Sequence, residues 1–471
     1  MNLWILTEEK PKVSVISQIT DLYARDFSST VKKIGNVEVL PMINNGRFTF
    51  TYAVKGLRVK GIDDIFIRTV SGSTSFVDFL VFAQDNAPSE EEDDMPIMAV
   101  EETKTSDKES RNTGVCQRVT KFVYIDAFYP NIKKYMLYNE ELDADESVRP
   151  SETNIIGTNI LMTLNVSIEG KENLSWFKPF TSIDEIISAK NSQRQPPAGN
   201  VPVRISKDDD AIYISGRLSK PKDAGNIGHD PNIGTLAMLS KGLRALGWNK
   251  RIVITKHAVS QQYINRSGAK NKFIFVCKLL NLELEGIDLP KKIDLPTKYW
   301  HYERRSEKVA SILLHILGEN NGLLEVYQNH AGCERGYFYS KKREQITLPK
   351  KASDGKNLLL PDVVMFDIDE NTAILVEGKQ ISTLQKGIEE IKGYGAIEDE
   401  YIKKYYPGST TYRYVSIFGG DEEGVPHEDV LFQLNDNGEM FLNDQAPDFI
   451  KRDFSPRHES YEYAFVDLNS R

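Results

Sequence analysis

The chain has 471 residues, a formal net charge of −9, 40% hydrophobic and 27% charged residues, a composition of folded domains and a length too great for one ordinary core. No apolar run approaches the ~18 residues of a membrane-spanning helix, and the first ten residues lack the cationic start of a signal peptide. Three cysteines (Cys116, Cys277, Cys333) and seven scattered histidines show no zinc-ligand spacing; a reducing cytoplasm is the expected setting, and the net acidity speaks against nonspecific coating of nucleic acid.

Residues 12–27 place Val13, Ile16, Ile19, Leu22 and Tyr23 at helical spacing, and β-forming runs follow over 37–40, 48–54 and 64–68. Segment 75–82 reads as a strand with Asp78 inside it. After a polar, acidic loop, 96–102 reads as a second strand that runs into Glu101-Glu102-Thr103-Lys104. A loop over 105–113 then enters a helix of about 17 residues. Its buried side is Val115, Val119, Phe122, Val123 and Ile125, and Tyr129-Pro130 stops it. These elements make a first domain, expected over 1–173.

A middle region is expected over 174–294. It opens on a short helix with Ser182 as N-cap and a linker-like run over 193–200. Strands flank the turn Asp208-Asp209-Asp210, and a Gly- and Asn-rich run over 225–234 leads into a helix over 235–246. That run offers backbone N–H groups to a phosphate but matches no nucleotide fingerprint, and such runs are more often a plain loop before a capped helix. Strands are expected over 251–255 and 272–279. From 231 to 282 there is no Asp or Glu, against nine basic residues, whereas 85–109 carries ten acidic residues and two lysines. Segregation on this scale predicts a basic surface for a polyanion, the plainer alternative being solvated faces of opposite sign.

The last domain, expected over 295–471, begins with a helix over 304–317 and a strand over 323–327. Apolar runs 358–366 and 372–379 form a hairpin around the turn 367–371. Ser382 caps a helix lined by Leu384, Ile388 and Ile391, which continues past a weak point at Gly393-Tyr394-Gly395 to a strand over 412–418. The order helix–strand–strand–strand–helix–strand predicts an α/β (α+β, mixed-sheet) core. The acidic tail from Asp421 carries no readable motif.

Asp362 opens the first strand of that hairpin, and Glu377 and Lys379 end the second, two apart and so on one face. Charges at the ends of apolar strands are costly unless they serve one another or a metal. Two converging carboxylates make a hard-oxygen site suited to Mg²⁺, and a lysine beside them can orient the attacking water and stabilise a developing anion. A surface salt bridge is the plain alternative for an isolated Glu-x-Lys. Asp78, Glu102 and Lys104 repeat the order with a longer loop. Glu101 can replace Glu102 as a ligand, but only Glu102 shares a face with Lys104.

Pro361-Asp362 … Glu377-Gly378-Lys379 resembles the PD-(D/E)xK nuclease motif. Asp78 … Glu102-Thr103-Lys104 is similar to a second copy, with Val77 where the proline would stand. The run from Glu101 through Lys104 to Arg118 also resembles the catalytic segment of some type II restriction endonucleases. The resemblance implies two restriction-endonuclease-like cores flanking a basic α/β middle region. It makes Asp78, Glu102, Asp362 and Glu377 ligands of Mg²⁺, Lys104 and Lys379 the catalytic lysines, and Glu307 an additional helix carboxylate.

One chain with two dissimilar centres, as in monomeric restriction enzymes that read an asymmetric site, can cut one strand of a duplex with each; a monomer and a dimer on DNA are both compatible. Double-stranded DNA is the expected partner, with a cognate DNA methyltransferase in the same restriction system rather than as a stable subunit. Base reading is expected from Arg111, Asn112, Gln117 and Arg118, and phosphate contacts from the basic window: Lys241, Arg244, Lys250, Arg251, Lys256, Arg266, Lys270 and Lys272. A repair or defence nuclease with one decayed centre, or a non-catalytic DNA-binding protein on a nuclease fold, are the competing expectations.

Overall fold

The β-forming runs and amphipathic stretches assemble into mixed α/β structure, in a computed structural model that describes residues 1–72, 76–90, 94–103, 114–138, 150–170, 174–193, 203–216, 231–267, 272–291, 298–302, 307–328, 336–420, 424–454 and 466–467. Among these residues the sheets mix parallel and antiparallel pairs and none closes into a barrel. No described helix is long and apolar enough to cross a membrane.

The chain divides into two compact units, one of residues 72–82 and 89–301, the other of 1–71, 83–88 and 302–471. This differs from the three consecutive segments expected with boundaries at 173 and 294. In the second unit the amino-terminal strand Val31–Asn44 packs on helix Glu307–Asn320, where Asn320 Nδ2 donates to the Val39 carbonyl at 3.0 Å. Partners 281 residues apart leave no trace in local sequence pattern.

In the unit containing 89–301, β1 (Phe79–Gln84) pairs antiparallel with β2 (Met98–Glu102) in the register Phe79↔Val100. Helix α1 (Gly114–Phe128) then crosses to β3 (Lys133–Leu137), parallel to β2 with Glu101↔Met136. Nearly every face of α1 is covered. A Cβ on Gly234 of helix Pro231–Ala245 would lie 3.2 Å from the Cys116 backbone, so the glycine lets the two helices approach closely. A second sheet orders Arg204–Lys207, Ala211–Ser215, Arg251–Thr255 and Leu282–Leu284 side by side. Lys272–Leu279, expected as a strand, is a helix. Phe273 through Cys277 are all buried, and Phe275 stacks on Tyr124 of α1 at 4.7 Å. A short run buried on all sides has no period to separate helix from strand.

In the other unit, α2 (Glu307–Asn320) precedes β4 (Leu324–Gln328), β5 (Val363–Asp367) and β6 (Thr372–Gln380). Helix α3 (Leu384–Ile391) and further helical turns then lead to β7 (Thr410–Phe418). These strands lie in an eight-stranded sheet in the order β4-β5-β6-β7, antiparallel, antiparallel and parallel. Val363 to Phe366 and Ala373 to Val376 are fully buried, as continuous apolar runs must be in strands covered on both faces. The hairpin turn is held by Asp367 Oδ1, which accepts the Asp369 and Glu370 amides at 2.9 Å each, and by Asn371 at φ 48°. Ser382, expected as the cap of α3, lies instead in a 3₁₀ turn (Ile381–Thr383) ahead of it, so the helix starts at Leu384 behind Thr383.

Candidate active site

The register of β5 and β6 builds the first cluster. Val363 faces Val376, so one step outward sets Asp362 opposite Glu377. Asp362 Oδ2 accepts the Gly378 amide at 2.8 Å, locking the carboxylate against the end of β6. Glu377 and Lys379 are 8% and 6% exposed. The Lys379 ammonium donates to Glu377 Oε1 and pairs with Glu390 Oε2 of α3 at 2.9 Å. The Tyr394 hydroxyl donates to Glu377 Oε2. Lys386, one turn before Glu390, holds its other oxygen at 3.2 Å.

Burial raises the Glu377 carboxyl above its ordinary range, although Lys379 and Tyr394 pull it back. Burial works against the Lys379 ammonium too, but hydrogen bonds with Glu377 and Glu390 outweigh it and the pKa is raised. For Glu390, burial is overcome by Lys379 and the pKa is lowered. Tyr394 is raised by burial and by the neighbouring Glu377, so at neutral pH it is a hydrogen-bond donor. The result is a desolvated lysine fixed between two carboxylates.

Local sequence places these groups. A Cβ on Gly387 of α3 would lie 2.7 Å from Lys379 Cγ and 3.2 Å from Val415 Cγ1, so glycine lets the helix lie directly on the lysine stem. The α-helix then stops at Ile391, and Tyr394 sits in the break before Gly395–Ile397. Tyr394 and Glu390 were not anticipated as site residues. The Gly393-Tyr394-Gly395 interruption was the available signal, because an aromatic flanked by glycines inside a helical stretch marks a place where packing overrides propensity.

The second cluster is in the other unit. Asp78 precedes β1, and the register places it opposite Glu101. Asp78 Oδ2 accepts the Glu102 amide at 2.7 Å, and the Asp78 amide donates to Glu101 Oε2 at 3.1 Å. Lys121 of α1 brings its ammonium 2.7 Å from Glu101 Oε1 and 3.4 Å from Asp78 Oδ1. Glu101 and Glu102 are 2% and 5% exposed. Burial first, then the Asp78 carboxylate, push Glu101 up to about 8, with Lys121 and Arg118 offsetting part of the rise.

No family model, curated protein or solved structure matches this chain.

Of the expected site residues, Asp362, Glu377 and Lys379 are brought together, and Asp78 meets the backbone of Glu102 and the side chain of Glu101. Lys104, Arg111, Asn112 and Lys270 lie outside the described residues, as does the Gly- and Asn-rich run up to 230. Gln117 falls on α1, Arg266 on helix Gln261–Ser267, Lys272 at the start of its helix and Glu307 at the start of α2. Arg118 is half-buried near the Glu101 carboxyl. Several cations of the basic window serve the protein itself. Lys241 pairs with Asp126 at 2.9 Å, and Arg251 with Glu283 at 2.6 Å. Lys250 donates to the Asp209 carbonyl, and Arg244 donates to the carbonyls of Leu280, Trp248, Lys250 and Asn281. Lys256 is exposed at φ 55°.

The donors around Asp362, Glu377 and Glu390 are carboxylate oxygens, which fit a hard cation such as Mg²⁺ in kind. Among the described residues, one group of three could hold a metal ion, and it lies elsewhere in the same unit: His315, Glu319 and Glu325, with donor atoms within 4.8 Å of one another. Lys10 already stands there, 2.5 Å from Glu319 and 3.6 Å from Glu325, and balances their charge.

Proposed function

We propose that this protein is a Mg²⁺-dependent, sequence-specific endonuclease of double-stranded DNA, of the PD-(D/E)xK restriction type, with one strand cut at each of two centres. The observation that carries the reading is the meeting of Asp362, Glu377 and Lys379 at one end of a mixed sheet. The order α2-β4-β5-β6-α3-β7, interrupted between β4 and β5 by the short strands Tyr337–Tyr339 and Gln345–Thr347, with an antiparallel hairpin followed by a helical crossover to a parallel strand, supports a restriction-endonuclease-like core. Asp362 and Glu377 are the groups that would hold the metal, which when bound lowers the pKa of water and neutralises charge on the phosphate. Lys379, desolvated and held by two carboxylates, is the group that would orient the attacking water and stabilise the anion that forms.

Purified protein incubated with plasmid tests this directly. Discrete fragments with Mg²⁺ and none with EDTA are expected. Random or junction-dependent cutting would instead favour a repair or defence nuclease. Tight metal-independent DNA binding without cleavage under any divalent metal would favour a non-catalytic binding protein.

A further inference from the structure

The two clusters can be superposed residue by residue through strand register alone. Phe79↔Val100 in one and Val363↔Val376 in the other make Asp78 the counterpart of Asp362 and Glu101 the counterpart of Glu377. The aspartate hydrogen bonds agree. Asp362 Oδ2 accepts the amide of Gly378, the residue after Glu377, and Asp78 Oδ2 accepts the amide of Glu102, the residue after Glu101. Glu102 therefore matches Gly378, and its contribution to the aspartate is a backbone N–H. Thr103 matches Lys379, so the strand position that carries the lysine in one cluster carries a hydroxyl in the other.

Among the described residues, a cation reaches the second cluster from the helix. In the first cluster Lys379 on the strand is met by Glu390 on α3; in the second, Glu101 on the strand is met by Lys121 on α1. Both helices connect the glutamate strand to its parallel neighbour, so the charge has moved between two elements that stand in equivalent places. Side-chain ammonium and carboxylate still meet: 2.7 Å separates Lys121 Nζ from Glu101, and the same ammonium reaches Asp78 at 3.4 Å.

We infer that Asp78, Glu101 and Lys121 are the catalytic set of the amino-terminal centre, and that Lys121 does from the helix what Lys379 does from the strand. This rests on the nuclease reading above. In the reaction, the water oxygen bonds to phosphorus as the bridging P–O bond breaks; the proton the water gives up to solvent is matched by the one the leaving alkoxide takes from it. Asp78 and Glu101 are the groups that would hold the cation, and Lys121 orients the water.

The test uses the full chain in a Glu377→Gln background, so that residual nicking of supercoiled plasmid reports the amino-terminal centre. Glu101→Gln and Lys121→Met are expected to reduce nicking by about 100-fold or more, the range lost with a positioned acid–base group. Glu102→Gln, which keeps the backbone N–H that Asp78 accepts, is expected to lose less nicking than Glu101→Gln. Adding Thr103→Lys to Lys121→Met rebuilds the arrangement of the other cluster, and partial recovery of nicking is expected. Normal nicking by Lys121→Met, or a loss in Glu102→Gln as large as that in Glu101→Gln with unchanged thermal unfolding, overturns the assignment.

A second readout separates this from failure of the nuclease reading. Mn²⁺ titrated calorimetrically into the same variants without DNA should lose a site in Glu101→Gln and keep it in Glu102→Gln, whether or not the protein cuts DNA. The reverse pattern, or no Mn²⁺ binding by the parent, overturns the assignment even if plasmid is cleaved.

Discussion

The two carboxylate–lysine clusters share a backbone plan and differ in where the cation is rooted. Around Glu377 the lysine is two residues along the same strand, so strand geometry fixes both groups together, and the helix adds a carboxylate. Around Glu101 the lysine comes from α1, and its position depends on how that helix packs. The first arrangement is written in three consecutive residues, Glu377-Gly378-Lys379, and survives as a motif. The second exists only when strand and helix are assembled, so no sequence motif marks Lys121.

Breaking the strand-rooted cluster should have the largest effect. Lys379→Met is expected to lower cleavage of one strand by about 10²–10⁴-fold, as loss of a positioned acid–base group does, read as accumulation of nicked circles cut on a single strand. If linear product forms at the normal rate, the comparison of two strand-cutting centres fails. Gly387→Ala sharpens the point from the helix side, because the added methyl meets Lys379 Cγ at 2.7 Å. Overpacking of this kind costs about 1–3 kcal/mol, and chemical denaturation should show it together with reduced activity; the same cleavage rate with full stability would mean that α3 does not constrain the lysine.

Tyr394→Phe removes a donor from a buried carboxylate. A loss of stability of about 1–3 kcal/mol is expected for a buried acceptor left unsatisfied. Since Tyr394 lowers the Glu377 pKa against the effect of burial, its removal should move the acidic limb of the pH–rate profile to higher pH. An unmoved limb would show that Glu377 does not titrate in that limb.

The helix-rooted cluster is tested by a pH slope. Glu101 has its folded pKa raised from the ordinary 4.5 to about 8, so between these values the folded chain keeps a proton that the unfolded chain has released. Stability contributed at this site is therefore greatest below that window and declines as pH rises through it. Glu101→Gln should flatten the decline. Melting temperatures of both proteins in EDTA across the window check this, and parallel curves would mean that Lys121 keeps Glu101 ionised throughout.

Much of the strand-rooted cluster was legible before any fold was known. Asp362, Glu377 and Lys379 are spaced by the period-2 geometry of strands, and the apolar runs between them define both hairpin arms. The choice between Glu101 and Glu102 was not legible, because adjacent residues point to opposite faces and a one-residue difference in pairing exchanges them. The basic window shows the same limit at the level of charge. Nine cations without an acidic residue nearby in sequence suggested an open surface, yet Arg244 is spent on loop carbonyls and Lys241 on Asp126.

What the sequence determined by itself is local: the strand and helix periods, the turn at Asp367, the Ser182 cap that accepts the Glu185 amide, and the Asp, Glu and Lys of the carboxy-terminal hairpin. Tertiary structure decided the rest, because it is set by partners distant in the chain. Lys272–Leu279 packs as a helix with Phe275 stacked on Tyr124, and residues 1–71 joined 302–471 in one unit. The pairing of β1 with β2 turned Glu101 toward Asp78, and α1 brought Lys121 to both.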